Sequence, residues 1–360
     1  MSIASYTIQE WLFNQAHGKF KYDLAESGVQ FQHVKDISID DNWCLDYSID
    51  RGSDDLRKLI TSQYKNDVTS TNAVVTHGAQ EALYIFYRTL LQSRDHVITI
   101  TPGWQQAWEV PRSIGCDVTL LEWNPREGFP VESLENSISS KTKLLILNNP
   151  CNPTGAVLNT DEWEKIISIC KRNRIWILND EEYLLDFSDS IINKYELSIS
   201  VSSLSKIYGL PALRLGWAVS NNHEIIEKMV NYKRYTTVSN SLLLENIAKK
   251  ILLERELYIE RFNSYIKVGR PWLDKFSKLA KDKLELIPPN NTPYAWFNTK
   301  DSIDSSILSE QLLKKHQLLI MPAEVFGSKN GFRLTYARDE KLLEICLNMI
   351  LDTLDIQERL

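Results

Sequence analysis

Short polar clusters in this chain carry side chains able to do chemistry. They are Asn148-Asn149-Pro150-Cys151-Asn152-Pro153-Thr154-Gly155, then Asp180-Glu181-Glu182-Tyr183, then Ser203-Leu204-Ser205-Lys206, with Arg214 eight residues further on. Lysine is the only side chain that offers a primary amine, which can condense with a carbonyl and, once released, move a proton. Earlier, Thr76-His77-Gly78-Ala79-Gln80 puts a glycine ahead of a helical stretch, where backbone N–H groups and the positive end of the helix dipole can hold an anion. Taken singly, each cluster has an ordinary reading: a glycine turn, a Pro-Gly turn, an Asp that caps a helix, a solvated Lys. An acid, an amide, a phenol, a lysine and an arginine in this order, each at the end of a predicted strand, read together as a functional set.

The elements that must position this set alternate between short β-branched runs and helical stretches from about residue 73 to 220. Seven runs read as strands: 73–75, 97–100, 118–121, 144–147, 175–178, 199–201 and 216–219. Apolar residues on consecutive positions predict strands buried on both faces, so the fold class is α/β, a mostly parallel seven-stranded sheet sandwiched by helices. Open sheets of that kind bind their ligands at the carboxyl ends of the strands, where the clusters fall. Helical spacing marks 79–92 and 161–172 as covering helices. Residues 223–283 read as helical, and 284–360 as a smaller α+β lobe with strands near 294–298 and 332–336. The expected division is an N-terminal arm (1–40), a large domain (41–265) and a small C-terminal domain (266–360).

Composition narrows the function. With 41 Lys and Arg against 47 Asp and Glu over 360 residues, the net charge is −6 and no long basic run exists, which argues against nucleic acid as a partner. No stretch approaches the roughly 20 apolar residues of a membrane span, and the first residues lack signal-peptide features, so a cytoplasmic protein is expected. Five scattered cysteines with no C-x-x-C pair read as reduced thiols, with no metal site. The nicotinamide fingerprint G-x-G-x-x-G, the P-loop, H-E-x-x-H and G-x-S-x-G are all missing.

The ordered motifs resemble those of fold-type-I pyridoxal-phosphate (PLP) enzymes of the class I/II aminotransferase family. They are N-P-x-N-P-T-G (149–155), D-x-x-Y (180–183), S-x-S-K followed by Arg214, and Tyr47 followed by Gly52 and Leu56-Arg57. The resemblance implies that Lys206 forms the Schiff base with PLP and that Asp180 pairs with the pyridine nitrogen. It further implies that Asn152 and Tyr183 bond the ring 3-oxygen, that Trp104 stacks on the ring, and that Gly78, Ala79, Gln80, Ser203, Ser205 and Arg214 hold the phosphate. Arg333 would clamp a substrate α-carboxylate, with Gly28 and Asn152 on the substrate side, and Tyr47 would reach in from the second subunit of a homodimer. The chemistry fits these types: a carboxylate keeps a pyridine nitrogen protonated, and a planar guanidinium grips a planar carboxylate. Trp104 has the alternative of an ordinary core aromatic.

The implied activity is transamination between an α-amino acid and a 2-oxo acid acceptor, with ping-pong kinetics. Some positions depart from the family pattern: Ala212 before Leu213-Arg214, Ala323 in place of Pro-Gly, Thr292-Pro293-Tyr294 in place of Gly-Gly-aromatic, and Glu26-Ser27-Gly28-Val29 in place of a glycine-rich segment. The last is similar to capreomycidine-synthase-like cyclases, in which the same cofactor drives elimination and ring closure, so that alternative stays open.

Overall fold

The structure, a computed structural model, describes residues 3–37, 39–40, 42–65, 68–300 and 303–360. In chain order the strands are β1 (Tyr22–Asp23), β2 (Ala73–Thr76), β3 (His96–Thr101), β4 (Asp117–Glu122), β5 (Thr142–Asn148), β6 (Trp176–Asp180), β7 (Ser198–Ser203), β8 (Gly216–Val219), β9 (Leu284–Ile287), β10 (Tyr294–Thr299), β11 (Leu318–Leu319), β12 (Met321–Pro322) and β13 (Phe332–Thr335). Seven of them form the main sheet in the order β2-β8-β7-β6-β5-β3-β4. All its pairs are parallel except those made by β8, which runs against both neighbours.

The β-branched runs make strands because their alternate side chains go to opposite faces, and both faces are covered. On β5, Leu145 and Leu147 join the apolar cluster on one face, with Ile98, Ile177 and Trp217. Leu144 and Ile146 join the other, with Val97, Leu178 and Ile199. The expectation that residues 118–121 form a strand buried on both faces fails at β4: this is the edge strand, and Leu120 is 38% exposed. Only one neighbour shields an edge strand, and its solvent side takes polar groups.

Direction of travel brings the clusters together. β2, β5, β6 and β7 all end on the same rim of the sheet, each followed by one cluster. Because β8 is reversed it begins on that rim, so Arg214 arrives just ahead of it. In register, Gly216 lies between Thr76 on one side and Ser203 on the other. A Cβ at Gly216 would stand 2.5 Å from the Gly78 carbonyl carbon and 2.6 Å from Ala79 N, so only glycine lets the helix Ala79–Leu90 start against this strand. The helix Thr160–Asn173 that backs the sheet opens with a capping box between Asn159 and Glu162.

The second lobe is an antiparallel sheet in the order β12-β13-β10-β9. Its core packs Phe297, Phe332 and Leu334 against Phe276 of the helix Arg255–Leu279 and Leu347 of the helix Glu340–Thr353. β9 and β12 were not foreseen; they are four and two residues long and carry no alternating pattern of their own. The N-terminal arm joins this lobe through the parallel pair β1–β11. Among the described residues no helix is long and apolar enough to cross a membrane.

Candidate active site

A cavity of about 710 Å³ opens on the rim, between the ends of β5 to β7 and the N-terminal arm. Of the residues singled out from sequence, Ala79, Gln80, Trp104 and Asn152 line it, as do Asp180, Tyr183, Ser205, Lys206 and Arg214. Gly78 and Ser203 lie directly behind the wall. A Cβ on Gly78, whose φ is +74°, would meet Arg214 Nη2 at 2.6 Å, and Ser203 Oγ accepts the Ser205 N–H at 3.0 Å. Gly28 packs on the Lys206 backbone, where a Cβ would come within 3.2 Å of the carbonyl oxygen.

Arg333 on β13 is 3% exposed and stands behind Asn152. Its Nη1 donates to Asn152 Oδ1 at 2.6 Å, and Nη2 donates to the Ala25 carbonyl. With Oδ1 so engaged, the Asn152 side-chain NH2 is left to donate elsewhere. The guanidinium lies over the rings of Tyr294 and Phe326, burial lowers its pKa, and its Nε has no partner among the described residues. Tyr183 packs edge-on against Tyr294 and is pushed well above the ordinary phenol range by burial. Trp104 is half-buried and donates from Nε1 to Gln80 Oε1 at 3.1 Å, so its ring is fixed at the cavity rather than lost in the core.

Tyr47 is not brought to this cavity. It pairs with Ser241 in an isolated bridge and is 85% exposed.

Sequence reasoning missed two acids in the wall as functional candidates, Glu26 and Glu182. Glu26 Oε1 lies 2.7 Å from Lys206 Nζ and also accepts the Gly28 N–H at 3.0 Å. Burial pushes this carboxyl up, but the charge and hydrogen bond of Lys206, with Arg333 and Arg338 behind, outweigh it and hold the group down at about 2. The only signal in the sequence was the departure at Glu26-Ser27-Gly28-Val29. Asp180 goes the other way: burial first, then the Glu182 charge, push it up to about 8.

Comparison with known proteins supplies the context for this geometry. Residues 20–350 match the family described as aminotransferase class I and II. The chain belongs to that family. Among the family's relatives, the aspartate aminotransferase of Bacillus subtilis is 25% identical over 84% of this chain and 82% of its own length. Capreomycidine synthase of Streptomyces vinaceus is 24% identical over 98% of this chain and 94% of its own. In fold, a PLP-dependent aminotransferase from Streptococcus suis superposes with a TM-score of 0.90 at 24% identity, covering both chains completely. The PLP-dependent cyclase OrfR does so with 0.88 at 22% identity over 99% of each chain. The architecture is thus PLP fold type I, as expected from the motifs.

Membership in the family implies pyridoxal 5′-phosphate as cofactor, and the residues present fit it. The helix start at Gly78-Ala79 has no side-chain cap, leaving its first N–H groups for an anion. The Arg214 side chain, beside it, makes one hydrogen bond, to the Pro211 carbonyl, and no ion pair among the described residues. At the other end, a carboxyl that burial keeps protonated near neutrality is completed by a cation such as a protonated ring nitrogen.

Proposed function

We propose that this protein is a PLP-dependent aminotransferase that moves the amino group of an α-amino acid to a 2-oxo acid. The observation that carries the reading is the convergence, on one cavity, of the Lys206 amine, the Asp180 carboxyl and the Asn152–Arg333 pair. Bound there, PLP supplies an electron sink that acidifies the Cα–H of the amino acid. Lys206 holds the cofactor and, when free, carries the proton taken from Cα. Asp180, as carboxylate, keeps the ring nitrogen protonated. The helix start at Gly78-Ala79-Gln80, Ser203, Ser205 and Arg214 hold the phosphate, and Trp104 fixes the ring plane. Asn152 and Tyr183 hold the ring 3-oxygen. Arg333 grips the α-carboxylate, with Gly28 beside it.

The reading divides the chain into an arm (1–40), a large cofactor-binding domain (41–265) and a small domain (266–360), and it makes the protein a homodimer. Support for the dimer comes from a run of exposed apolar side chains at Leu45, Tyr47, Tyr235 and Val238, which flank the Tyr47–Ser241 bridge.

A second reading, elimination and ring closure on a functionalised amino acid, is favoured by one observation: capreomycidine synthase aligns over 98% of this chain, against 84% for the Bacillus subtilis aspartate aminotransferase. One experiment tests both. Borohydride reduction of the cofactor-loaded protein and peptide mapping should label Lys206, and a panel of amino acids should give more than one equivalent of 2-oxo acid per active site only when an acceptor is present. Repeated turnover without any acceptor would favour the second reading, and a label on another lysine would overturn both.

A further inference from the structure

Three acidic side chains that line the cavity have no part in the reading above; Glu26 is paired with Lys206 and Asp23 accepts from the backbone of the arm, which leaves Glu182. Glu182 stands two residues after Asp180, is 7% exposed, and lines the same wall as Ser205, Lys206 and Arg214. Ser203 faces its carboxyl, and Oε2 has no hydrogen-bond partner among the described residues. A carboxylate oxygen shut away from water without a donor is costly, so Oε2 is placed to pair with a group that enters the cavity.

The charged groups that face Glu182 come from four elements. Asp180 lies on its own turn, Lys206 on the turn after β7, Arg214 ahead of β8, and Glu26 on the N-terminal arm. Burial raises the Glu182 carboxyl, and the Lys206 and Arg214 charges only partly counter it. Ser203 and Arg214, which face Glu182, are among the groups assigned to the cofactor's phosphate. An ionised Glu182 would therefore sit against a second anion on one guanidinium, whereas the neutral acid has an O–H to give.

We propose that Glu182 enters the loaded site as a neutral carboxylic acid whose Oε2–H donates to the phosphate of the cofactor. The proposal rests on the assignment of Ser203, Ser205 and Arg214 to that phosphate. Glu182 gains one proton, from solvent or from Asp180, and no covalent bond changes. The charge repulsion is removed and the unpartnered oxygen is satisfied in the same event.

The test compares PLP affinity of the wild type and Glu182→Gln from about pH 6.5 to about pH 9, read by quenching of tryptophan fluorescence. Glutamine is a permanent neutral donor of the same shape, and the proton lost by Lys206 on attachment is common to both proteins. Wild-type affinity should fall relative to Gln as pH rises, approaching tenfold per pH unit, because only the wild type must acquire a proton. Pyridoxal, which lacks the phosphate, should show no such trend, and Glu182→Ala should show the same trend as Gln. A ratio that stays constant with pH overturns the proposal, as does an equal trend with pyridoxal. If neither protein binds PLP, the assignment of the phosphate cup is what fails.

Discussion

Arg333 Nη1 reaches Asn152 Oδ1 at 2.6 Å across 181 residues of chain, joining a strand of the small lobe to the turn that follows β5 in the main sheet. The contact is fully buried and places a guanidinium against the wall of the cavity, with its Nε unpaired. Among the described residues no carboxylate is bonded to this arginine, and the proposed function gives it an incoming carboxylate, which a guanidinium can take through two parallel N–H bonds.

Arg333→Ala should therefore separate substrate from cofactor. PLP should still bind, since Lys206, Asp180 and Arg214 are untouched, but kcat/KM for α-amino acids should fall by on the order of a hundredfold or more, the loss of a charge-assisted pair worth about 3 kcal/mol. Amines without a carboxylate should be affected far less. Equal losses on both substrate classes would make Arg333 a bracing residue only.

Asp180→Asn should trade activity for stability. An acid whose pKa is raised in the fold keeps a proton that the unfolded chain gives up, so stability falls as pH rises from about 4 to about 8 in the cofactor-free protein. The asparagine variant lacks this slope, and its thermal midpoint should overtake the wild type toward pH 8. Its activity should drop by on the order of a hundredfold or more, because the ring nitrogen loses its counter-charge. Parallel melting curves for the two proteins would show that burial does not govern this carboxyl.

Glu26 has the opposite sign. Its carboxyl, held at about 2 by Lys206, Arg333 and Arg338, contributes stability that is present above its ordinary value of 4.5 and is lost as pH falls from there toward 2. The cofactor-free Glu26→Gln variant should lose a few kcal/mol at neutral pH, on the order of 1.4 kcal/mol per unit of pKa, and should show a shallower acid-unfolding profile. A profile superimposable on the wild type would mean the Lys206 contact contributes nothing to the fold.

Tyr47 tests the dimer. Tyr47→Ala and Lys206→Ala should each be inactive, and mixing them with subunit exchange should restore about one quarter of wild-type activity, since half the dimers are mixed and each has one intact site. No recovery after demonstrated exchange would place Tyr47 outside the partner's site.

Much of this arrangement was legible before any coordinates. Long apolar runs such as Leu144-Leu145-Ile146-Leu147 have one stable fate, a strand covered on both faces, and the polar cluster after each run has then to lie on the rim. The spacing from Lys206 to Arg214 likewise fixed their order, with a turn between them. These are local properties, set by side-chain shape and by the period of the backbone.

Neighbours were not legible, because nothing local encodes them. The edge position of β4, which leaves Leu120 exposed, follows from the order of strands in the sheet. The insertion of β8 between β7 and β2, which lays Gly216 between Thr76 and Ser203 and delivers Arg214 to the helix start, needs a pairing with β2 across more than a hundred residues. Glu26 is an ordinary surface-type residue until the arm carries it to Lys206, 180 residues away. Glu182 is one acid among three until burial removes its water. A charge takes its chemical meaning from what faces it and from how much solvent remains, and both are decided only when the chain has closed on itself.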